Sequence, residues 1–438
     1  MNEGKIVVGV DIGTSKIVTI IARIEDGIVN VLGVSEVSSS GIKKGQIVDI
    51  EGAVSSINSS IEGAERMAGY SVSHVVASIG GSHIESANSR GVVAVAGQNG
   101  EITHSDLSRV IDAAKAISLP STKEIIHVLP RSYTVDGQEG IKDPLGMAGV
   151  RLEVDTHLII SNAISLRNME KALQEVGVDL DAAIFSGYAS SLSVLSSTEK
   201  ELGVVLVDIG AGTTDISAFV DGSVAYSSVL PIGARHITND LAIGLRVSLE
   251  SAEKIKLFLS KGHSKKILTE YGEEIQTGFN KKEGLSSSKT DEIDISSLNL
   301  PEEIRKISRK TLVEGIIRPR LNEIFTMIGM EIKKSEFLGQ TPAGLVITGG
   351  GASTIGIQDS AKRMLAMPVR IGVPLGIKGI IDEIQDTPFA TVVGLAMYAS
   401  TIEKTASLPL GLSMPDIPIG SAFGIFNKII NIIKSFIP

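Results

Sequence analysis

The chain has 438 residues, more than one hydrophobic core usually supports, so we expect two or more domains. A hydrophobic content of 43% with 21% charged residues is typical of a soluble globular protein, and the net charge of −9 argues against a nucleic-acid partner, which needs a basic face. The absence of cysteine excludes disulfides, thiol catalysis and thiolate metal sites.

The N-terminal segment has the strand and helix pattern of an α/β lobe. Strands are predicted at 5–12, 17–24, 28–34 and 72–79, and a helix runs through Met67 after a polar loop at 38–51. Asp11 interrupts the first apolar run, so we expect no signal peptide. Directly after that run comes the sequence DIGTSK, which contains Asp11, Gly13, Thr14, Ser15 and Lys16.

Residues 82–160 have a different pattern of predicted strands and helices from the segments around them. Short strands at 91–96, 125–133 and 157–160 flank one helix, Ser105–Ile117, which we expect Ser105 to cap. This pattern predicts a small inserted α+β subdomain. The chain then returns to the first lobe, which we assign to 1–81 and 161–199.

The stretch GVVLVDIGAGTTDIS at 203–217 predicts a buried strand, a tight glycine turn and a returning strand. Glycines let a ligand approach the backbone closely, and successive N–H groups of such a turn can converge on an anion. Threonine hydroxyls add donors, and an aspartate beside them suits a hydrated Mg²⁺. The residues with this chemistry are Asp208, Gly210, Gly212, Thr213 and Thr214. Together they are suited to hold nucleotide phosphates.

A glycine-rich hairpin turn on its own is more often only a turn. Here the sequence D-I-G follows a run of β-forming residues twice, at Asp11 and at Asp208. A chain with the same turn once in each half suggests two related lobes around one cleft. The core of the second lobe is assigned to 200–235 and 338–402, with a further subdomain at 236–337.

Four features follow the second turn. A helix at 248–260 contains Glu253 and Lys256, and a polar loop is predicted at about 261–300. Helices at 301–337 carry basic residues, and a strand at 344–351 ends in three glycines. The residues of interest there are Arg305, Arg309, Lys310, Gly349, Gly350 and Gly351.

The C-terminal segment is predicted to be a proline-rich linker at 403–420 followed by an amphipathic helix at 421–437. Its apolar half and its lysines include Phe423, Phe426, Lys428, Ile429, Ile430, Ile433, Lys434 and Phe436. The helix is too short and too polar on one face to span a bilayer, but it suits the headgroup region of an anionic membrane. The alternative is a helix that docks on its own protein or on a partner; the linker favours the membrane.

Taken in order, these motifs resemble the five-part nucleotide site of the actin, Hsp70 and sugar-kinase superfamily. The resemblance implies ATP and Mg²⁺, with Gly9–Lys16 and Asp208–Thr214 as phosphate loops and Gly349–Gly351 as the adenosine loop. It places Glu253 and Lys256 on adenine and ribose, although a solvated helix face is the alternative for this pair. It also implies that Asp11 and Asp208 organise Mg²⁺ through water. No Walker-type phosphate loop is present.

Within that superfamily the chain is most similar to the FtsA family of bacterial cell-division proteins. The most specific stretches are 39–51, 129–159 and 309–324. The resemblance implies a two-lobed actin-like (ribonuclease H-like) ATPase fold with an inserted small α+β subdomain and a C-terminal amphipathic helix. It also implies actin-like protofilaments at the septum, peripherally bound to the cytoplasmic face of the membrane, where they anchor FtsZ and recruit later division proteins.

In the same resemblance the FtsZ C-terminal tail docks on the subdomain that here spans about 236–334. Arg305, Arg309 and Lys310 are the candidates for holding that partly acidic tail. A solvated basic helix is the alternative for each of these residues.

Two departures from the superfamily pattern concern catalysis. Ala211 stands where a third glycine is common, and the connection 185–189 has no Glu or Gln to position water. We therefore expect an ATP-dependent assembly switch with at most slow hydrolysis, in which Asp208 organises Mg²⁺ and water. Two rival hypotheses are a small-molecule kinase of the same fold and a pilus-assembly ATPase of the FtsA-like group. Neither needs an amphipathic anchor.

Overall fold

The structure is a computed structural model that describes residues 4–25, 28–260, 291–335, 337–379 and 384–401, together with the short segments 267–268 and 274–275. The chain divides into two compact units, Met1–Ser400 and Thr401–Pro438. The predicted linker and amphipathic helix lie outside the described residues. All that follows concerns the first unit.

The strands are β1 (Lys5–Ile12), β2 (Lys16–Glu25), β3 (Ile28–Ser38), β4 (Ile42–Lys43), β5 (Gln46–Ile47), β6 (His74–Ile79), β7 (Glu85–Ala94), β8 (Lys123–Val135), β9 (Gln138–Ile141), β10 (Arg151–Asn162), β11 (Asp179–Phe185), β12 (Val204–Ile209), β13 (Thr214–Val220), β14 (Ser223–Leu230), β15 (Ile267–Leu268), β16 (Glu274–Ile275), β17 (Glu292–Asp294), β18 (Lys306–Ser308), β19 (Leu345–Thr348), β20 (Val369–Ile371) and β21 (Ile377–Gly379).

The α-helices are α1 (Ile50–Ala68), α2 (His104–Lys115), α3 (Ala163–Val176), α4 (Ser186–Val194), α5 (Ser197–Leu202), α6 (Arg235–Leu245), α7 (Leu249–Ser260), α8 (Arg309–Leu312), α9 (Arg318–Lys334), α10 (Ile357–Leu365) and α11 (Ala390–Thr401). A π-helical turn, Val313–Ile317, joins α8 to α9. Short 3₁₀ turns are Gln98–Gly100, Ser296–Leu298, Leu338–Gln340, Gly350–Ser353 and Thr387–Phe389.

The two main sheets have the same strand order, which confirms two related lobes. The shared order covers five strands: β11-β6-β1-β2-β3 in the first lobe corresponds to β20-β19-β12-β13-β14 in the second, and β21 adds a sixth strand beside β3. In each lobe an antiparallel meander of three strands comes first, and the next strand of the same sheet, β6 or β19, then joins parallel to the first strand of the meander. The Asp–Ile–Gly turns therefore lie at equivalent places, between the first two strands of each sheet.

Each sheet has helices packed on it through an apolar face. In the first lobe the predicted helix face is confirmed, because Ile57, Ile61 and Ala64 of α1 are buried. In the second lobe Phe325 and Ile328 of α9 lie in the core cluster that includes the central strand β12. Full burial of one such side chain stabilises the fold by about 1.5–3 kcal/mol.

The inserted subdomain is a four-stranded sheet, β7-β10-β8-β9, with α2 packed on it. The predicted cap at Ser105 is wrong. Thr103 caps α2, since its side chain accepts from Asp106 N while Asp106 accepts from Thr103 N. This reciprocal capping box satisfies two backbone donors that a serine two residues further on does not satisfy. Close packing between α2 and β7 needs Gly91, where a Cβ would lie 2.1 Å from Val110 O.

Two segments differ from the predicted organisation. Residues 292–294 of the predicted polar loop pair with 306–308, so the C-terminal end of that loop is a small hairpin. The assignment of 338–402 placed that whole range in the second lobe, but Ile377–Gly379 pairs with Val29–Val31 at the edge of the first lobe's sheet. Strands of three residues are too short to show a period in the sequence.

The helices α4 and α11 cross between the lobes at backbone contact. A Cβ on Gly394 would lie 1.8 Å from Ala189 O, and Ser193 Oγ donates to Ala390 O at 2.6 Å. The same crossing brings Ser190 and Thr391 beside the end of β12. Across the described ranges, none of the helices combines the length and the apolar character that crossing a membrane requires.

Candidate functional site

The two predicted phosphate turns form, and they face each other. Gly13 N donates to Lys16 O at 3.1 Å, and Gly210 N donates to Thr213 O at 2.9 Å, so the same bond closes both turns. A Cβ on Gly212 would lie 2.9 Å from Thr14 Cγ2, so the tips of the turns are in contact. The structure therefore places the turns of the two lobes on opposite sides of one narrow cleft.

Asp11 and Asp208 follow the buried runs of β1 and β12, and Asp208 lies close enough to Asp11 to affect the ionisation of Asp11. The pKa of Asp11 is raised to about 6. Burial is the largest cause; the Asp208 carboxylate also raises the pKa, whereas a hydrogen bond from the Ser78 hydroxyl lowers it. Burial also raises the pKa of Asp208, against hydrogen bonds from Ser190 and, at 3.1 Å, Thr391 Oγ1. Both carboxylates are thus held by hydroxyl donors at the bottom of the cleft.

Asp215 is a third carboxylate in the same place, and it is buried like Asp208. Burial raises its pKa well above the usual value, and the charges of Asp208 and Asp11 raise it further. Among the residues that the structure describes, its Oδ1 has no hydrogen-bond partner, although a Cβ on Gly80, across in the first lobe, would lie 3.9 Å from it. A buried carboxylate oxygen without a donor is costly unless a ligand or a cation satisfies it.

These three carboxylates fit a hydrated divalent cation. Like charges in a buried site repel one another, and a cation between them would remove the repulsion. In the parts of the chain that the structure covers, there is no group of three or more His, Cys, Asp or Glu side chains placed to hold a metal ion directly. Mg²⁺ usually keeps several of its waters in protein sites, so contact through water is compatible with this geometry.

The polar side chains of the first turn point in different directions. Thr14 Oγ1 accepts from Gly45 N at 3.0 Å and keeps its own proton for a ligand in the cleft. Ser15 is exposed, and its carbonyl accepts from Ser39 N at 3.0 Å. Lys16 Nζ forms an ion pair with Glu36 at 2.5 Å and lies 4.6 Å from the centre of the Phe389 ring. Lys16 would have to leave this pair to reach a phosphate.

The three predicted glycines lie against the second turn. Gly349 has φ of 84°, and a Cβ there would be 2.1 Å from Asp208 Oδ1. A Cβ on Gly351 would be 2.5 Å from Ile209 Cγ2, whereas one on Gly350 would meet nothing within 4 Å. Gly349 and Gly351 are therefore required by close packing on β12, and Gly350 leaves open space beside it.

Glu253 and Lys256 lie near the same turn, on α7. Lys256 Nζ is 2.7 Å from Glu253 Oε2, and the lysine side chain is only 9% exposed, so the simple alternative of a solvated helix face does not describe Lys256. Thr238 on α6 bonds to both. Helix α6 begins at the second turn, because Ala234 N donates to Gly210 O and Arg235 N to Ala211 O, each at 2.9 Å.

Sequence reasoning missed four hydroxyl and carboxyl residues that complete this arrangement: Ser78, Ser190, Asp215 and Thr391. Asp215 had a detectable signal, since it is an acid within a strand, TDISAFV, whose every residue is buried. The hydroxyl residues had no detectable signal in the sequence, because Ser190 and Thr391 are 201 positions apart in the chain and meet only where α4 crosses α11.

The predicted partner residues lie elsewhere. Arg305 and Lys310 are exposed and Arg309 is half-buried, around the start of α8. Asp291 accepts from Lys310 N at 2.9 Å in the same place. All the predicted membrane residues, from Phe423 to Phe436, lie outside the described residues.

Comparison with known proteins agrees with this fold. A family model described as "SHS2 domain inserted in FTSA" matches residues 81–160, and one described as "Cell division protein FtsA" matches 205–394. Among solved structures, the PilM–PilN type IV pilus biogenesis complex is similar with a TM-score of 0.62 and 13% identity, over 90% of this chain and 98% of that one. MreB5 of Spiroplasma citri bound to ADP is similar with a TM-score of 0.50 and 14% identity, over 91% and 97%. These two show the actin-like fold.

Sequence identity is higher with curated relatives. Cell division protein FtsA of Pseudomonas aeruginosa is 38% identical over 399 residues, which cover 91% of this chain and 90% of the relative. An identity of this size over nearly all of both chains shows the family, and the inserted subdomain matches in addition. The chain belongs to the FtsA family of cell division proteins.

Proposed function

We propose that this protein binds ATP with Mg²⁺ between its lobes and uses the nucleotide to assemble actin-like protofilaments that anchor the FtsZ ring to the inner face of the cytoplasmic membrane at the septum. The observation that carries the proposal is the contact of two equivalent phosphate turns, at Gly212 and Thr14, above three carboxylates, of which Asp208 and Asp215 are buried and Asp11 is half-buried. Membership of a cell-division family and an ADP-bound structure of the same fold support it.

The phosphates would be held by the backbone N–H groups of the two turns and by hydroxyl groups. On the first turn these are Gly13, Thr14 and Ser15, with Lys16 released from Glu36; on the second they are Gly210, Gly212, Thr213 and Thr214. Thr214 contributes mainly by bracing the turn, since its Oγ1 donates to Ile232 O at 2.8 Å. Glycine at the contact points leaves the backbone accessible to an anion.

Mg²⁺, when bound, would neutralise phosphate charge in the cleft. Asp11 and Asp208 would hold its waters, and Asp215 would lose the repulsion that raises its pKa. Asp215 is also the group best placed to orient an attacking water, because its Oδ1 is buried and unpartnered beside Asp208. Connection 185–189 offers no Glu or Gln for that task, so we propose that hydrolysis is slow.

The nucleoside end would lie where Gly349–Gly351, Glu253 and Lys256 surround the second turn. Gly350 leaves room for a ring, and Glu253 presents a carboxylate that is 42% exposed. These groups can accept from ribose hydroxyls and donate to base or ribose acceptors.

The partner surfaces of the proposal are separate from the cleft. The tail helix, with Phe423, Phe426, Ile429, Ile430, Ile433 and Phe436 on one side and Lys428 and Lys434 on the other, would lie in anionic lipid. The exposed cations Arg305 and Lys310, with Arg309, would attract the partly acidic FtsZ tail. Later division proteins would bind the inserted subdomain.

Co-sedimentation with anionic liposomes tests this function. The intact chain should pellet, a chain ended at Gly420 should stay soluble, and ATP with Mg²⁺ should increase pelleting of the intact chain through polymer avidity. If both chains stay in the supernatant, the anchor is wrong and a soluble ATPase of this fold is favoured. Phosphoryl transfer to an added small-molecule acceptor would instead favour a kinase.

A further inference from the structure

Thr238 joins the two residues that the proposed function places at the nucleoside. Its Oγ1 donates to Glu253 Oε2 at 2.5 Å and accepts from Lys256 Nζ at 3.0 Å, while Lys256 Nζ lies 2.7 Å from the same Oε2. The three side chains form a closed ring of hydrogen bonds between α6 and α7. We propose that Thr238 is a positioning residue for the nucleoside end of the cleft, an inference that rests on the proposed ATP site.

The ring leaves one oxygen available for a ligand. Both bonds to Glu253 end on Oε2, and no described residue bonds to Oε1. The Glu253 side chain is 42% exposed, whereas that of Lys256 is 9% exposed. Since a carboxylate oxygen readily accepts from ribose hydroxyls, the free Oε1 is the group we expect to meet the sugar. The Thr238 hydroxyl fixes which oxygen is free and where it points.

The burial of Lys256 makes the hydroxyl important for the orientation of the pair. An ammonium group that is largely removed from water needs acceptors, and among the described residues these are Glu253 Oε2 and Thr238 Oγ1. If the hydroxyl is removed, Glu253 alone must satisfy the ammonium. We expect the carboxylate to turn toward Lys256, which takes its second oxygen away from the ribose.

Thr238 also ties this pair to the phosphate turn. It lies in the first turns of α6, whose start is fixed by Ala234 N to Gly210 O and Arg235 N to Ala211 O, each at 2.9 Å. Phosphates and ribose are joined covalently in a nucleotide, so a site that binds both needs a fixed distance between its two parts. Helix α6 with Thr238 is a short, direct connection of this kind.

The test separates the nucleoside end of the site from the phosphate end. Thr238→Val has nearly the same shape and no hydroxyl, and Thr238→Ser keeps the hydroxyl. The affinities of the full-length protein for ATP, 2′-deoxy-ATP and inorganic tripolyphosphate are measured by calorimetry with Mg²⁺. We expect Thr238→Val to weaken ATP about tenfold, as loss of one hydrogen bond to a charged group implies, with tripolyphosphate unchanged. Thr238→Ser should restore ATP binding.

The matched control is Thr326→Val. Thr326 lies on the exposed face of α9, where its hydroxyl donates only to Asn322 O at 2.7 Å, so its loss should change none of the three affinities. Thermal unfolding without nucleotide shows whether Thr238→Val still folds. If it does not, Thr238→Ala, which avoids a new methyl group beside the charges, is measured in its place.

The outcomes distinguish this inference from the function beneath it. A wild-type protein that binds neither ATP nor tripolyphosphate overturns the proposed function, and the role of Thr238 with it. A wild-type protein that binds ATP, together with a Thr238→Val variant of equal ATP affinity, overturns only the inference. Equal weakening of ATP and tripolyphosphate, with a lower unfolding temperature, would show that Thr238 merely stabilises the packing of α6 on α7.

Discussion

His157 of the inserted subdomain and Ser227 of the second lobe share a hydrogen bond, with 3.0 Å between Nε2 and Oγ. The other ring nitrogen lies 2.8 Å from Asn88 Oδ1, and Ser86 Oγ donates to Ser227 O at 2.6 Å. Ser227 lies on β14, the edge strand of the second sheet. The inserted subdomain therefore binds backbone groups that an edge strand otherwise leaves unpaired.

His157→Ala should loosen this contact. Ser227 and Asn88 would each lose a buried partner, at a cost of about 1–3 kcal/mol. We expect faster hydrogen exchange at the β14 amides, including Ser227 N, which donates to Ser86 Oγ at 3.2 Å. His74→Ala is the control, because His74 is 59% exposed and pairs only with Asp181 among the residues described. Unchanged exchange in His157→Ala would mean that the contact does not hold the subdomain.

Gly212→Val should separate the two phosphate turns. Even a Cβ at this position would lie 2.9 Å from Thr14 Cγ2, so a branched side chain cannot fit unless the lobes move apart. We expect ATP affinity to fall by about tenfold or more. Gly315→Ala is the control, since a Cβ there would meet nothing within 4 Å. Normal ATP binding by Gly212→Val would show that contact between the turns is not needed.

Asp11→Asn should change how stability depends on pH. The pKa of Asp11 rises from 3.8 to about 6 on folding, so between these values the folded protein binds more protons than the unfolded one, and stability falls as pH rises. Ionisation of Asp11 lowers the free energy of unfolding of the wild type by about 3 kcal/mol above pH 6, and the asparagine variant does not show this decrease. We expect the free energy of unfolding of Asp11→Asn, measured by urea titration without Mg²⁺, to rise relative to that of the wild type between pH 4 and pH 7.

Comparison with the wild type cancels the contributions of groups on which Asp11 does not act, including the buried His127 and His157, whose pKa values are lowered to about 4 and about 3, mainly by burial. Asp215 is a group on which Asp11 does act, so its contribution changes with the substitution. Asp112→Asn, at an exposed position, is the matched control. A constant difference between Asp11→Asn and wild type across this pH range would contradict the raised pKa of Asp11.

Thr103→Ala should destabilise the inserted subdomain through its single helix. The variant loses both the hydroxyl that accepts from Asp106 N and the donor to Asp106 Oδ2 at 2.7 Å. Loss of such a cap costs about 0.5–2 kcal/mol. Hydrogen exchange at the α2 amides measures the effect locally, and Ser105→Ala should have none. A larger effect from Ser105→Ala would restore Ser105 as the cap.

Residue patterns predicted those parts of the fold that are built from long strands or helices, or from a motif that occurs twice in the sequence. The repeated D-I-G turn predicted one phosphate turn in each lobe, and the short strands around a single helix predicted the inserted subdomain at 82–160, which the family model matches at 81–160. The two-lobed fold was thus predictable. The recruitment of Ile377–Gly379 to the first sheet was not, because its pairing with Val29–Val31 depends on tertiary position alone.

The candidate site also contains residues that the sequence predicts and residues that only the tertiary structure brings together. Glycines and acids in the turns are visible in the sequence, whereas the hydroxyls that hold Asp208 come from two helices far apart in the chain. The ion pair between Lys16 and Glu36, which keeps the lysine out of the cleft, could not be predicted from the sequence either, because it depends on how β2 and β3 pair.

The last helix of the described chain has a mechanical consequence. Helix α11 packs on the first lobe, where a Cβ on Gly9 would lie 3.0 Å from Leu395 Cβ, and Lys5 Nζ donates to Ala399 O at 2.7 Å. The chain toward the proposed anchor therefore starts from the first lobe, whereas the proposed FtsZ-binding cations belong to the second. In the proposed function, tension between ring and membrane would then act across the junction of the two lobes, where α4 crosses α11 and where the proposed nucleotide site lies.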